Sequence, residues 1–259
     1  MLQTVFSIPP EKRGSIAPLF FDANGLMRSC LHGHMGQAFG DHPIHPGAAI
    51  LCIGDFSCPG GDPNRPAARQ LAGKLSLQPG KTWLVPVTEG WEGHFAFWHP
   101  KRMERGVRYA VTRKADFNRE KLLSMTKSIP PEFSLHPIDI VLYEKAMAEE
   151  WSRDFCSQFA DGADYARRGL GVAALREEEI VAGASSYVTY DGGIEIQTDT
   201  REDMRRRGLA AACCARLILD CLQKGLTPSW DAANPASLAL AEKLGYALKN
   251  TYDVWEVSF

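Results

Sequence analysis

Residues 205–214 read RRRGLAAACC, and this stretch decides the fold predicted for the second half of the chain. It follows a strand-like segment, IEIQTDT at 194–200, and opens an apolar, helix-like segment. A tight turn between a strand and a helix directs several unpaired backbone N–H groups at one point, where the helix dipole also attracts an anion. Gly208 permits a close bend because it has no Cβ atom, and Ala210 keeps the first helical turn narrow. The pattern therefore predicts a pyrophosphate cradle.

The three arginines of this stretch allow two other interpretations from the residues alone. A basic triplet can bind a nucleic-acid backbone, and solvated arginines can also simply flank the start of a helix. Acidic Glu202 and Asp203 precede the triplet, and no aromatic-rich basic face accompanies it. The formal net charge of −2 adds no overall attraction to nucleic acid. We therefore expect no nucleic-acid partner.

The composition is typical of a soluble globular protein with room for two modest domains. The chain has 259 residues, of which 45% are hydrophobic and 23% charged. It has neither an N-terminal signal pattern nor an apolar run of roughly 18 residues, the length that a membrane span needs. These features predict a cytoplasmic protein without a membrane partner.

The cysteine and histidine positions do not form a metal-binding or disulfide pattern. The seven cysteines are irregularly spaced and include no CxxC pair, which argues against a disulfide framework or a zinc ribbon. His32, His34, His42 and His45 lack the spacing of helical metal ligands. We expect reduced, mostly buried thiols and no bound metal.

Strand-like and helix-like segments alternate along the chain, which predicts an α/β (α+β) architecture. Pro130 and Pro131 end a helix-like segment and mark the predicted domain boundary. Residues 1–130 are expected to form an N-terminal α/β domain of unknown role, and residues 131–259 a second domain. The elements predicted for the first domain are a strand over AAILCIGDF at 48–56, strands at 82–87 and 108–114, and helices at 67–77 and 118–129.

The second domain has the clearer alternation of elements. Its connections REEE and YDGG are typical of antiparallel hairpins, so three successive strands are predicted around them. Apolar residues spaced for one helical face predict a long helix over 139–159. The expected strands are 133–135, 171–176, 180–190, 193–200, 227–231 and 252–257, with further helices from near Arg207 and over 237–243.

Two motifs in this half resemble those of the GNAT N-acetyltransferase superfamily. Arg205-x-x-Gly208-x-Ala210 fits the R/Q-x-x-G-x-G/A signature, and NPASLALAEKLGY at 234–246 resembles the N-x-x-A-x-x-L-Y-x-x-x-G-F segment. The likeness covers nearly the whole chain and extends to a subfamily of two-domain bacterial GNAT proteins. The segments that carry it are EWSRDF at 150–155, GASSY at 183–187, PSWDAAN at 228–234, GHMG at 33–36 and GDF at 54–56.

The resemblance implies a fold, an acyl donor and a set of binding residues. The C-terminal domain would have the GNAT fold, a mixed, splayed β-sheet flanked by helices, whose fourth and fifth strands separate around the pantetheine arm. Acetyl-CoA would be the acyl-donor cosubstrate, without a metal, and the acceptor a small-molecule or peptide amine. Whether the protein forms a homodimer is left open by the sequence. The residues expected to bind the donor are Thr198, Thr200, Arg205, Arg206, Arg207, Gly208, Leu209, Ala210, Asn234 and Ser237.

Two of these expectations concern particular contacts with the donor. The resemblance implies that backbone N–H groups around Thr198 to Thr200 polarise the thioester carbonyl, and a donor of this kind contributes roughly 3–4 kcal/mol. It also implies that Asn234 lies near the pantetheine arm. The alternative for Asn234 is an N-cap of the helix that follows it.

A strand carboxylate is the expected general base. Strand alternation places Glu195, Gln197 and Asp199 on one face of the predicted strand. Glu195 is the first choice, because a carboxylate beside a partly apolar cleft has a raised pKa and can accept a proton from an ammonium group through water. Asp231 on the next strand is the second choice. The alternative for Glu195 is a solvated or salt-bridged strand residue.

The general acid is missing from its usual position. Many GNAT enzymes carry a tyrosine where this sequence has Ala241, and Tyr252, Tyr187 or Ser229 are the candidate substitutes, with Tyr252 preferred. Because a thiol has a pKa of about 8.5, coenzyme A can also leave without an acid. The missing tyrosine motivates an alternative function, a catalytically inactive acyl-CoA-binding sensor or scaffold.

Overall fold

The structure is a computed structural model that describes residues 5–74, 81–113 and 116–258. The chain forms two compact units: the first runs to Arg108 and resumes at Tyr252, and the second is Tyr109–Thr251. The division therefore differs from the boundary predicted near residue 130. Two long strands continue along the chain from one unit into the other, and this continuity hides the boundary from local sequence signals.

The described residues contain the following strands and helices. The strands are β1 (Phe6–Ser7), β2 (Gln37–Gly40), β3 (Ala48–Ile53), β4 (Phe56–Gly61), β5 (Lys81–Leu84), β6 (Arg102–Arg113), β7 (Phe133–Pro137), β8 (Gly171–Arg176), β9 (Glu179–Tyr190), β10 (Gly193–Thr200), β11 (Thr227–Ser229), β12 (Asp231–Ala232) and β13 (Tyr246–Ser258). The α-helices are α1 (Gly25–Leu31), α2 (Ala68–Ala72), α3 (Glu92–Ala96), α4 (Arg119–Lys127), α5 (Ile140–Ala148), α6 (Gly162–Arg168), α7 (Leu209–Gln223) and α8 (Pro235–Leu244). Short 3-10 helices lie at Pro10–Ser15, Ala17–Leu19, Arg153–Phe155 and Glu202–Met204. Across the described ranges, no helix combines the length and apolar character that crossing a membrane requires.

The first unit is built on strands in the order β1-β2-β3-β4-β5-β13. These neighbours pair antiparallel except for β4 and β5, which are parallel. The strand predicted over 48–56 is wrong in extent, because a turn at Gly54 and Asp55 divides it into β3 and the start of β4. The helix predicted over 67–77 ends at Ala72, and residues 75–77 of that prediction lie outside the described residues.

The second unit contains a five-stranded sheet in the order β11-β10-β9-β8-β7. The four strands β7 to β10 form an antiparallel meander, and β11 pairs parallel with β10. The three strands predicted at 171–200 are confirmed, with β9 beginning one residue early at Glu179. The predicted helix after the arginines is also confirmed as α7, and its stripe of Leu209, Cys213, Leu217 and Cys221 is buried in the core.

One face of this sheet packs against α7, and the opposite face is covered by α5, the 3-10 helix Arg153–Phe155 and α6. The long helix predicted over 139–159 is wrong, because α5 ends at Ala148 and Glu149 is extended. This bend brings Phe155 against Gly183, where a Cβ atom would lie 2.6 Å from the Phe155 ring. The helix α6, whose N-cap is Asp161, was not predicted.

The strand predicted over 227–231 is two strands with different partners. Thr227–Ser229 (β11) pairs with β10, whereas Asp231 and Ala232 (β12) pair with Ala110 and Tyr109 of β6. Buried Trp230 separates the two strands. The helices predicted at 118–129 and 237–243 are confirmed as α4 and α8, and the predicted final strand is part of the longer β13.

Candidate active site

The site begins where β11 separates from β10. The parallel pair consists of Gly193 with Thr227, Ile194 with Pro228 and Glu195 with Ser229. Beyond Ser229 the chain leaves β10 for the β12 pairing, while β10 continues to Thr200. The edge of β10 from Ile196 to Thr200, called the released edge below, is thus separated from β11. This separation of the fourth and fifth sheet strands is the splay that the resemblance implied.

Backbone N–H groups of β10 point towards the released edge. Arg201 N–H donates to the Val181 carbonyl at 3.0 Å, so the N–H at this position points towards β9. Because N–H directions alternate along an antiparallel strand, the N–H groups of Thr198 and Thr200 point away from β9. The Thr198 hydroxyl donates a hydrogen bond to the Gly183 carbonyl at 2.8 Å. Its backbone N–H is therefore the group that Thr198 offers at the released edge.

The second of these N–H groups, that of Thr200, is hydrogen-bonded to the side chain of Asp199. Asp199 Oδ1 accepts the Thr200 N–H at 2.6 Å. Burial raises the pKa of Asp199, and the negative charge of Asp154 acts in the same direction, against the lowering effects of the Thr200 N–H and the Arg205 charge. Thr200 can serve as a donor to a ligand after Asp199 has moved away. The sequence placed Asp199 on the strand but did not predict this contact.

The turn between β10 and α7 has two residues in the left-handed backbone region. Arg206 has φ 68° and Gly208 has φ 81°, and the four residues from Arg205 to Gly208 are exposed. An L-residue in this region costs roughly 1–2 kcal/mol, which glycine avoids. Arg205 Nε donates to the Thr200 carbonyl at 3.3 Å and ties the turn to the end of β10. A turn with left-handed residues directs successive backbone N–H groups into a concavity that suits an anion.

The N-terminus of α7 continues that concavity. Gly208 is the N-cap residue and no side chain caps the helix. The first N–H groups of this 15-residue helix thus lie at the turn, with the positive end of the helix dipole. The Leu209 side chain is buried in the core, whereas Ala210 is half-buried at the first turn. Both residues can therefore serve a ligand through their backbones.

Asn234 and Ser237 make local contacts at the start of α8. Asn234 Oδ1 accepts the Ser237 N–H at 2.9 Å, so the N-cap alternative for Asn234 is observed. Ser237 Oγ accepts the indole N–H of Trp230 at 3.1 Å. These contacts order the segment that follows β12, and a direct role of either side chain at the pantetheine arm stays a prediction.

Glu195 lies at the apex of the separation between the strands. It is 7% exposed and pairs with Ser229, the last residue of β11. The β10–β9 register shifts immediately after Glu195, where β9 has an additional residue, Tyr187. The negative charge of Glu195 is among the causes that raise the pKa of buried Tyr246, after burial and two cysteines. The carboxyl group therefore lies in a poorly solvated part of the second unit.

The other predicted catalytic residues are distributed more widely. Asp231 is half-buried in β12, two residues beyond Ser229. Tyr252 is half-buried in β13 and belongs to the first unit, whereas Glu195 and Asp231 belong to the second. Ala241 is fully buried in the core, so its position supplies no proton donor. Sequence reasoning missed Tyr190, whose hydroxyl contacts Ser229 Oγ at 2.5 Å.

The thiols of the chain are all free, as the sequence predicts. Cys213, Cys214 and Cys221 on α7 are buried, and burial raises the pKa of Cys214 and Cys221 to about 12. Such thiols are poor nucleophiles. Among the described residues, no cluster of histidine, cysteine and acidic side chains is arranged to hold a metal ion.

Comparison with known proteins tests the family. The family model described as GNAT acetyltransferase matches residues 17–255. The chain belongs to the GNAT acetyltransferase family. It is 37% identical to a GCN5-related N-acetyltransferase-like protein from Streptococcus suis, with a TM-score of 0.85 over 95% of this chain and 98% of that one. A Drosophila protein superposes with a TM-score of 0.63 at 11% identity, over 98% of both chains, and this likeness concerns the fold alone.

A curated relative of this GNAT protein covers part of the chain. The uncharacterised N-acetyltransferase YdfB of Bacillus subtilis is 28% identical over 148 residues, 55% of this chain and 56% of its own length. The chain thus spans about half the length of that curated relative. The family and the names of these relatives support an acyltransferase of the GNAT type.

Proposed function

We propose that this GNAT protein is an N-acetyltransferase that transfers the acetyl group of acetyl-CoA to a primary amine of a small molecule or peptide by direct attack. The observation that carries the proposal is the juxtaposition, within residues 193–211, of the released edge and an uncapped helix N-terminus. A single ligand with a thioester at one end and a pyrophosphate further along suits both features. Coenzyme A thioesters have this chemistry.

The turn and the start of α7 would bind the pyrophosphate. Backbone N–H groups from Arg206 to Ala210 and the helix dipole supply donors and positive potential without a metal. The exposed arginines 205–207 add charge at the rim of this concavity. Because the donors are backbone groups, their position depends on the left-handed conformation of Gly208.

The released edge would bind the pantetheine arm and activate the thioester. Thr198 N–H points away from β9 and can donate to the thioester carbonyl as negative charge develops on its oxygen. The Thr200 N–H becomes a second donor when Asp199 withdraws. Loss of one such donor from a transition state costs roughly 3–4 kcal/mol.

Glu195 would remove a proton from the acceptor. A primary amine attacks as the neutral form, so its ammonium group must first lose a proton. Glu195 is buried at the strand apex, and its carboxylate is the group that would accept this proton. The amine nitrogen then attacks the thioester carbon, and the C–S bond breaks to release the thiolate.

Calorimetry and thiol release together test this proposal. Acetyl-CoA is expected to bind one site per chain, and a panel of primary amines is expected to include one that releases free thiol. Glu195→Gln should lower kcat about 10²- to 10⁴-fold, the range of general base catalysis, while acetyl-CoA still binds. Glu179→Gln, an exposed carboxylate at the start of β9, is the matched control with unchanged kcat.

The second candidate function is an inactive acyl-CoA sensor, and buried Ala241 is the observation that favours it. A sensor would bind acetyl-CoA with the same stoichiometry but release no thiol with any amine. Absence of acetyl-CoA binding would exclude both functions.

Two further outcomes concern the base and the nucleic-acid alternative. If Asp231→Asn rather than Glu195→Gln abolishes thiol release, the base is Asp231. No retardation of nucleic acid at physiological salt is expected in a gel-shift experiment.

A further inference from the structure

We propose that Ser229 is the proton donor to the leaving thiolate, held by Tyr190 and supplied with its proton by Glu195. The inference deepens the proposed function and rests on it. It assigns the general acid that Ala241 does not provide. It also gives Tyr190 a positioning role that the sequence motifs did not indicate.

The first observation is the pair of hydroxyl groups at the end of β11. The Tyr190 hydroxyl and Ser229 Oγ are 2.5 Å apart, a short hydrogen bond, and the Tyr190 side chain is buried. Such a contact fixes the rotamer of a serine that would otherwise turn freely. Ser229 is thus held in one orientation at the last residue before the strands separate.

The second observation is the register of β10 with β11. Glu195 pairs with Ser229, and paired residues of neighbouring strands project on the same face, on strands about 4.8 Å apart. The register therefore places Glu195 and Ser229 side by side on one face of the sheet at the strand apex. The two groups needed for opposite proton transfers, base and acid, lie on adjacent strands.

The third observation is the glycine that makes room for the tyrosine. Gly193 pairs with Tyr190, and a Cβ atom on Gly193 would lie 2.3 Å from the Tyr190 hydroxyl oxygen. Any other residue at 193 would displace the phenol ring. The glycine therefore permits the Tyr190 hydroxyl to reach across β10 to Ser229.

Two other buried tyrosine hydroxyls of this unit have partners elsewhere. Tyr246 donates to the Pro228 carbonyl at 2.7 Å, and the Tyr165 hydroxyl contacts Ser185 Oγ at 2.7 Å. The Tyr190–Ser229 pair differs from them by its position at the last residue of β11. The Tyr165–Ser185 pair provides a natural comparison, because it also joins a tyrosine and a serine in the same unit.

The proton balance of this route is complete. The ammonium acceptor loses two protons when it becomes an amide, and the thiolate gains one. Glu195 takes the first proton, through water, as the amine becomes neutral. When the C–S bond breaks, the Ser229 hydroxyl gives its proton to the thiolate sulfur and regains one, through water, from the Glu195 carboxyl group. The second proton of the attacking nitrogen leaves to solvent, and Glu195 returns to its ionised form.

The test compares hydroxyl deletions in steady-state thiol release from acetyl-CoA, with the best amine of the panel and with hydroxylamine. Ser229→Ala and Tyr190→Phe should each lower kcat about tenfold, a modest effect because the thiol pKa of about 8.5 already makes a tolerable leaving group. The KM for acetyl-CoA should not change. The double variant should be no slower than Ser229→Ala, because both residues serve one proton path. Ser229→Thr, which keeps the hydroxyl on a strand-favouring residue, should restore kcat.

Tyr165→Phe is the matched control and should keep wild-type kcat. If Ser229→Ala and Tyr190→Phe both keep the kcat of the wild type, the proton route is overturned and the proposed function is left intact. A fall in kcat for Tyr165→Phe as large as that for Tyr190→Phe would overturn it too, by showing a general packing effect. A wild-type protein that binds acetyl-CoA but releases no thiol would instead refute the proposed enzyme and its proton route together.

Discussion

The first and second units connect their strands in the same way, yet they differ in where the parallel pair ends. In the first unit, β1 to β4 are antiparallel neighbours, and the chain then passes through α2 to β5, which is parallel to β4. In the second unit, β7 to β10 are antiparallel neighbours, and the chain passes through α7 to β11, which is parallel to β10. A shared connectivity therefore does not by itself create a cleft.

The backbone hydrogen bonds beyond the paired strands make the difference. In the first unit, Val85 N–H donates to the Ser57 carbonyl and Val87 N–H to the Pro59 carbonyl, each at 2.9 Å. The Thr88 hydroxyl then reaches the Gly61 carbonyl at 2.7 Å. The parallel pair of the first unit thus stays closed to the end of β4. In the second unit, the corresponding edge of β10 is released after Glu195.

The turn that follows the fourth strand differs as well. In the first unit, Arg65 of this turn pairs at 2.6 Å with Asp41 of the β2–β3 connection, and the Asp41 carboxylate also accepts the N–H groups of Gly47 and Ala48. The helix after this turn, α2, has only 5 residues and therefore a small dipole. The second unit has three exposed arginines and a helix of 15 residues at the same place. Donor binding is thus expected in the second unit alone.

Gly208→Val should give the largest effect on this difference. The left-handed φ of 81° suits glycine, and a β-branched residue there would move the backbone N–H groups of the turn. Loss of two hydrogen bonds to a charged pyrophosphate, roughly 3 kcal/mol, predicts an affinity for acetyl-CoA about a hundredfold weaker by calorimetry.

The control for this variant is Gly225→Val. Gly225 follows α7 with φ 69°, and, as at Gly208, no atom lies within 4 Å of an added Cβ. Both variants should lose similar thermal stability, whereas acetyl-CoA affinity should fall for Gly208→Val alone. If Gly208→Val still binds acetyl-CoA at another site with undiminished affinity, the assignment of donor binding to the second unit is contradicted.

Asp41→Ala should destabilise the first unit without weakening acetyl-CoA binding. Burial alone would raise the pKa of Asp41, but Arg65 and the N–H groups of Ala48 and Gly47 hold it below its ordinary value. Removing an acceptor that serves two backbone N–H groups is expected to cost about 2 kcal/mol in urea unfolding at pH 7.

The pH dependence of this loss follows from the lowered pKa. The stabilisation by Asp41 is fully present above its unfolded pKa of about 3.9 and is lost as the pH falls through the lower folded value. The difference between the variant and the wild type should therefore be smaller at pH 3 than at pH 7. A hundredfold loss of acetyl-CoA affinity in Asp41→Ala would contradict the assignment of donor binding to the second unit.

Local patterns predicted the strand, turn and helix of the proposed donor site better than they predicted its surroundings. Gly208, strand 193–200 and helix α7 follow from neighbouring residues, because turn chemistry and apolar periodicity are short-range properties. The change of partner at Trp230 could not be predicted, since TPSWDA reads as one extended segment and tertiary pairing alone divides it. The capture of the Thr200 N–H by Asp199 likewise depends on a side-chain rotamer.

Asp199→Asn should strengthen acetyl-CoA binding by roughly threefold at pH 7.5, because it removes a negative charge from the proposed donor site and weakens the hydrogen bond that occupies the Thr200 N–H. The raised pKa of Asp199 gives the direction of the pH effect. Wild-type affinity should increase as the pH falls from 7.5 to 5, since part of the carboxylate becomes protonated.

The matched control is Asp203→Asn, in the same turn. Arg201 lowers the pKa of Asp203, so this residue stays ionised over that pH range, and any titration of the ligand affects both variants equally. Affinity in Asp199→Asn should be less dependent on pH than in Asp203→Asn. Equal pH dependence in the two variants would remove Asp199 from the donor site.

Arg206→Gly should give the smallest effect and separates the backbone of the turn from its charge. Glycine accepts φ 68° without strain, and the greater freedom of the unfolded chain offsets this gain, so the free energy of unfolding should change by less than about 1 kcal/mol. Acetyl-CoA affinity in 0.15 M salt should fall less than about threefold, because the N–H donor remains and an exposed charge is screened. A fall of more than tenfold would mean that the arginine charge, rather than the backbone N–H donor of Arg206, accounts for the binding.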